Sequence, residues 1–233
     1  DGGLGSTFVI ANDAAAAVYN RFIVTNQAAA WIGGNFHMGN TGHSNWTQIL
    51  DGSRVSVGGT MYIGGNNGGV SNQVLVSGSN TFLHIVSEIR IGEGGSARAN
   101  SLIISNGAVV TNRDTIYLGV GPAGGAGDNT LYVDGAGSML LHNAVNNGGY
   151  GIQVGWDTSN NRLVITNGGL VSTPSLRMGP NGETGNNVTN IGGYLFVTNP
   201  ASNARFEVGV NGQGGGTFCF SGGTSMVNDL YAY

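Results

Sequence analysis

The chain has 233 residues, of which 44 are Gly and 28 are Asn, and only 9 % are charged. All eight basic residues are Arg, there are four Pro and one Cys, and the formal net charge is -4. These figures exclude a charge-rich disordered segment, a basic nucleic-acid binder, a collagen-like repeat, an internal disulfide and a cysteine-based metal cluster. No apolar run approaches the roughly 20 residues of a membrane-spanning helix, so no membrane insertion is expected.

In chain order, Phe8-Val-Ile reads as the first strand of a repeating unit. Residues 13–20 (DAAAAVYN) read as an insertion in the first coil, one helical turn capped by Asp13 or, alternatively, an irregular loop. RFIV at 21–24 is a strand, and 35–46 reads as a long loop carrying His37 and His43. After that the units recur with an alternating strand, a Gly/Asn corner, a second apolar run, an apolar-Gly pair and a Gly-rich loop. First strands start at Phe8, Gln48, Val74, Leu102, Leu131, Leu163, Leu195 and Phe218, an average period of 30 residues. The apolar-Gly pairs are Ile32-Gly33, Ile63-Gly64, Ile91-Gly92, Leu118-Gly119, Val154-Gly155, Met178-Gly179 and Val208-Gly209.

Short strands at this period, with no other helix signal, predict an all-β fold. The expected form is a parallel right-handed β-helix (β-solenoid) of about eight coils, one domain over residues 1–233. The seventh coil looks short, because NPASNARF leaves little room for a second strand. The position two residues past the first strand holds only Gly or Asn (Asn12, Gly52, Gly78, Asn106, Gly135, Asn167, Asn199, Gly222), which marks a left-handed corner. Stacked amides at this corner are positioned to bond along the axis.

Alternation turns the middle residue of each first strand outward. That column reads Val9, Ile49, Leu75, Ile103, Tyr132, Val164, Phe196 and Cys219, a lateral apolar stripe suited to packing on another copy. A second outer line, Trp31, Tyr62, Arg90, Tyr117, Gln153, Arg177 and Glu207, reads as an ordinary amphipathic surface, with a ligand line of Trp31, Tyr62, Arg90, Tyr117 and Arg177 as the alternative.

The residues that carry chemistry are sparse. Asp51 and Asp134 fall in one column but three coils apart, roughly 14 Å, too far for a glycosidase pair. No catalytic residues are assigned. His37 and His43 share a loop without a third ligand, so no metal site is expected there. GGAGDNTL at 124–131 is similar to the calcium repeat G-G-x-G-x-D-x-L, but Asp128 is one place early and no neighbouring coil repeats it. Calcium is thus the only cofactor with any sequence support.

The two ends read as complementary. The last unit stops inside its third strand, at Leu230 and Tyr231, and DGGLGST supplies the missing loop before Phe8. Asp1, Gly2, Gly3, Phe8, Leu230, Tyr231 and Tyr233 therefore form a candidate head-to-tail interface. A segment of a longer solenoid is the other reading of the same match.

These units, such as LIISNGAVV and LVITNGGLV followed by an apolar-Gly pair, resemble the short β-strand repeats of bacterial autotransporter passengers and of exosortase-sorted (PEP-CTERM-associated) surface proteins. The resemblance implies a secreted, extracellular or cell-surface parallel β-helix and brings no catalytic residues; no leader is visible at Asp1. In those repeats the outer position is usually Thr, so the apolar column is a departure. The expected function is non-enzymatic: a bacterial structural subunit that assembles with copies of itself into a filament or surface layer. An adhesin that binds surface glycans is the first alternative, and a polysaccharide-acting enzyme the second.

Overall fold

In the computed structural model the described residues are 6–11, 18–65, 68–121, 127–143, 151–200, 204–209 and 214–232. Among them the chain is all-β, with twenty-five short strands and no helix. The strands form three parallel sheets, here called faces A, B and C in the order the chain first visits them. Face A has nine strands and faces B and C have eight each.

The coil from Ser101 shows how the sequence produces this. Ser101–Ser105 alternates, so Leu102 and Ile104 point inward and Ile103 outward. Asn106 and Gly107 follow with φ of 55° and 82°, a left-handed pair that only Asn, Asp or Gly adopts cheaply, and the chain turns a corner. Val109–Asn112 then lies on face C and Ile116–Val120 on face A. Leu102, Ile104, Val110, Ile116 and Leu118 are all 0 % exposed. Each buried Leu or Ile contributes about 1.5–3 kcal/mol. No coil can bury its own core, because the residues above and below complete the packing. Leu102 pairs in register with Val74 on one side and Leu131 on the other.

The parallel β-helix expected from sequence is thus the observed architecture, with a corrected register. Equivalent face B positions are Phe22, Thr47, Val74, Leu102, Leu131, Leu163, Val188 and Phe218. The solenoid makes about seven turns at a period near 28 residues, rather than eight at 30. Phe8 does not begin a face B strand; it lies in Phe8–Ile10 on face A and pairs with Phe36. Leu195 lies in Tyr194–Val197 on face C, and the true face B strand of that coil is Asn186–Ile191. The seventh coil therefore has all three strands, the third being Arg205–Val208. Gln48 is one place late, since Thr47 and Ile49 are the inward residues of Trp46–Leu50. Ile32 closes a face C strand, and the pair equivalent to Ile63-Gly64 is Met38-Gly39. The segment 35–46 is accordingly more than a loop, because it contains the strand Phe36–Met38. Most of the insertion at 13–20 lies outside the described residues.

The stacked amides lie at a different corner from the one the sequence suggests. An asparagine ladder runs up the corner that precedes face B, through Asn20, Asn45, Asn72, Asn100, Asn129, Asn161 and Asn186. At every step the backbone N–H and the Nδ2 of one Asn both donate to the Oδ1 of the next, at 2.9–3.2 Å. From Asn45 onward these residues are 0 % exposed. At the corner after face B, Asn106 and Asn167 do bond along the axis, but to Ser77 Oγ and Asp134 Oδ1 rather than to other amides.

The ladder also explains the apolar-Gly pairs. Gly64, Gly92 and Gly155 have φ of 71–76°, and a Cβ on them would lie 2.1–2.3 Å from the amide of Asn100, Asn129 and Asn186.

Candidate functional site

The outer surface of face A carries the second outer line, the alternative ligand line, with one exchange. The column is Val9, His37, Tyr62, Arg90, Tyr117, Gln153, Arg177, Glu207 and Tyr231. Trp31 is not in it; that residue lies on face C, paired with Ser56, and His37 takes its place. The His37 and Tyr62 rings stack at 4.2 Å and 6°. The Arg90 guanidinium lies 5.6 Å from the Tyr62 ring and 5.7 Å from the Tyr117 ring, and it is paired with both Glu88 and Glu93. Tyr117 meets Trp156 edge-on at 5.9 Å. Arg177 pairs with Glu207, and Arg205 lies 5.3 Å from the Tyr231 ring. These groups occupy one another: the Tyr62 ring lies between His37 and Arg90, and Tyr117 between Arg90 and Trp156. Burial holds the Tyr117 hydroxyl above its usual titration range and lowers the His37 imidazole.

The lateral stripe is shorter than expected. On face B the outward column reads Ile23, Gln48, Leu75, Ile103, Tyr132, Val164, Thr189 and Cys219. Leu75, Ile103, Tyr132, Val164 and Cys219 stand where expected, but Gln48 and Thr189 interrupt the stripe. Ile49 is 1 % exposed and belongs to the core. Val9 faces outward on face A and Phe196 on face C, because the strands that hold them were assigned to the wrong face. Sequence reasoning missed a longer apolar column on face C: Phe82, Val109, Met139, Leu170 and Tyr194, five consecutive rungs. Aligning the second apolar runs as carefully as the first strands would have exposed it.

Asp51 and Asp134 are held by hydroxyl and amide donors. Asp134 accepts from Thr166 Oγ1 at 2.7 Å and Asn167 Nδ2 at 2.8 Å, and these bonds hold its carboxyl below the usual range. Asp51 accepts from Thr25 Oγ1 at 2.6 Å. The two do not share a column, since Leu50 aligns with Ser77 and Asp134 with Ser105. Among the described residues no three His, Cys, Asp or Glu side chains gather as a metal site, and residues 124–126 of the calcium-like motif lie outside them.

Compared with protein-family models, curated proteins and solved structures, the chain matches none of them.

The candidate interface at the ends is in part visible. Asp1, Gly2, Gly3 and Tyr233 lie outside the described residues. Phe8 and Leu230 occupy equivalent positions of face A, so the two ends repeat the same strand instead of complementing each other. The last rung consists of Gly216–Ser221, Thr224–Val227 and Asp229–Ala232. Its inward-facing Phe220 and Leu230 are 49 % and 61 % exposed, whereas Phe206, one rung back from Leu230, is 0 % exposed. In the first rung Ile10, Val24 and Ile32 are better covered, at 6–9 % exposed, while Phe8, the equivalent of Leu230, is 37 % exposed. The ladder also ends here. Asn186 aligns with Gly216, and its buried Nδ2 has no acceptor.

Among the described residues, recesses mark the outer side of face C and its corner with face B, three of them near the first rungs. A polar one of about 570 Å³ is lined by Gln27, Asp51, Gly52, Arg54, Ser79 and Asn80. A small one of about 160 Å³ lies over Arg54, Phe82 and Val109. The third, about 230 Å³, lies among Trp31, Ser56, Val57, Gly58, His84 and Val86.

Proposed function

We propose that this chain is a structural solenoid subunit, a stiff rod that grows by stacking rung on rung with further copies and does no chemistry of its own. The observation that supports this reading is the C-terminal rung. Its three strands pair on one side only among the described residues, and it presents Phe220 and Leu230 where the interior rungs bury their equivalents; only Phe8, in the first rung, is likewise exposed, at 37 %. An open set of strand edges around an apolar centre templates another strand layer. The first rung of a second copy offers its face B and face C strands to this edge once one of the two duplicated face A strands gives way, so the contact is heterologous and propagates. A secreted or cell-surface setting belongs to the same proposal and rests on the resemblance of the repeats.

The test is sedimentation velocity over a concentration series, with electron microscopy of negatively stained samples. The proposal expects concentration-dependent growth into rods. The double variant Phe220→Arg/Leu230→Arg should remain monomeric with an unchanged β-sheet circular dichroism spectrum. A chain that stays monomeric throughout the series overturns the reading.

A further inference from the structure

Trp31 is the most exposed large hydrophobic residue among the described residues, at 76 %. It stands on face C with Ser56 on the next rung and His84 on the one after, all three in one outward column. Trp31 and His84 are therefore two strand spacings apart, about 10 Å. Ser56 is too short to fill the space, and the backbone of Gly58 adds no side chain, which leaves the recess of about 230 Å³. A ring in contact with both walls needs about 3.5–4 Å on each side. The gap therefore admits one six-membered ring. The far wall is pre-set: His84 Nδ1 bonds Thr111 Oγ1 at 2.7 Å, and its ring lies parallel to Phe82 within 9°.

The chemistry of the walls selects the ligand. The indole and the half-exposed Val86 suit aliphatic C–H groups, while the Ser56 hydroxyl and the imidazole suit hydroxyls. Two residues along the same strands, about 7 Å away, Arg54 and Phe82 border the next recess. That recess shares Arg54 and Asn80 with the large polar one, where Gln27 and Asp51 add further hydrogen-bonding groups. One Arg and one Asp leave this track without net charge. We propose that the outer surface of face C binds a neutral oligosaccharide, with one pyranose ring seated between Trp31 and His84 and the next units crossing Arg54. This is a binding function independent of end-to-end assembly.

The experiment is a titration of the full ¹⁵N-labelled chain with methyl α-mannoside, cellohexaose, maltohexaose and chitohexaose, followed by ¹H–¹⁵N correlation spectra. The Trp31 indole N–H and the Gly58 amide should shift saturably with at least one of the hexasaccharides, while the Trp156 indole should not move. Ser56→Leu fills the slot on an outward position and should weaken binding about tenfold or more with the β-sheet spectrum unchanged. Arg54→Ala should weaken the hexasaccharide and leave any monosaccharide binding as it was. Absence of a Trp31 shift with all four sugars overturns the proposal, and so does a shift that Ser56→Leu leaves intact.

Discussion

At the scale of single residues, two repeating features on different parts of the coil prove to be one device. From Gly39 to Gly155, the glycine at the end of the face A strand and the asparagine before a face B strand meet across one strand spacing. Gly92 has φ +76°, and a Cβ on it would lie 2.3 Å from Asn129 Nδ2. Gly92→Ala should therefore destabilise the fold through both backbone strain and collision. The Gly92→Ala/Asn129→Gly pair should be less destabilised than the sum of its single changes, as a denaturation double-mutant cycle would read. Asn100→Ala removes the acceptor for both Asn72 donors and should cost about 2–4 kcal/mol in urea denaturation. The ladder was legible in the sequence, since an Asn precedes the strand at 45, 72, 100, 129 and 161. It was hidden because Asn is so frequent in the chain that the corner after face B offered a second, equally suggestive column. His142 is a different case, a buried imidazole whose Nδ1 lies 2.8 Å from Asn112 Oδ1. Burial lowers its pKa from 6.5 to about 4. The unfolded chain thus takes up the proton first, so the stability this group supports is full above pH 6.5 and is lost as pH falls towards 4. The loss is at most about 3 kcal/mol. His142→Asn should flatten that part of the stability–pH curve, and an unchanged slope would show that His142 is not its source.

At the scale of strands, period-2 alternation was enough to find them and not enough to tell which face each belongs to. FVI at 8–10 and LFV at 195–197 have the same apolar–outward–apolar pattern as the face B strands. Only the spacings around them, 40 and 23 residues against a mean of 30, carried a warning. The error matters because a one-residue slip reverses inside and outside. Ile49 and Leu75 looked equivalent in sequence, yet Ile49 pairs with Val76 in the core while Leu75 faces outward. Ile49→Thr should therefore cost about 1–3 kcal/mol, and Leu75→Thr should stay within about 0.5 kcal/mol, as urea denaturation would measure. Equal effects would put the register observed here in error. The same logic covers the apolar column on face C: Val109→Thr should be nearly neutral, whereas Val110→Thr, pointing inward, should not.

At the scale of the whole molecule, the strand count constrains how copies can stack. A solenoid climbs one strand spacing for every three strands, so seamless stacking needs a multiple of three. The described chain has twenty-five strands, because face A has nine while faces B and C have eight. When a second copy brings Arg21–Val24 under Gly216–Ser221 and Ala29–Ile32 under Thr224–Val227, its Phe8–Ile10 falls in the slot already held by Asp229–Ala232. One of the two strands must leave before faces B and C can close. Phe8–Ile10 is short, and it is held partly by Phe8 stacked on Phe36 at 5.6 Å and tilted on Phe22 at 5.0 Å. Both of those rings would be covered again by the rung of an incoming copy. Removing residues 1–17 leaves eight strands on each face and should promote rods with an axial repeat of about 38 Å, eight strand spacings. Removing residues 229–233 also leaves eight on each face and should do the same. Removing both leaves face A one strand short, and assembly should fall again. General destabilisation would make the double truncation the most aggregation-prone of the three, so the reversal, read by sedimentation and by the axial spacing in electron micrographs, separates ordered stacking from mere exposure of the core.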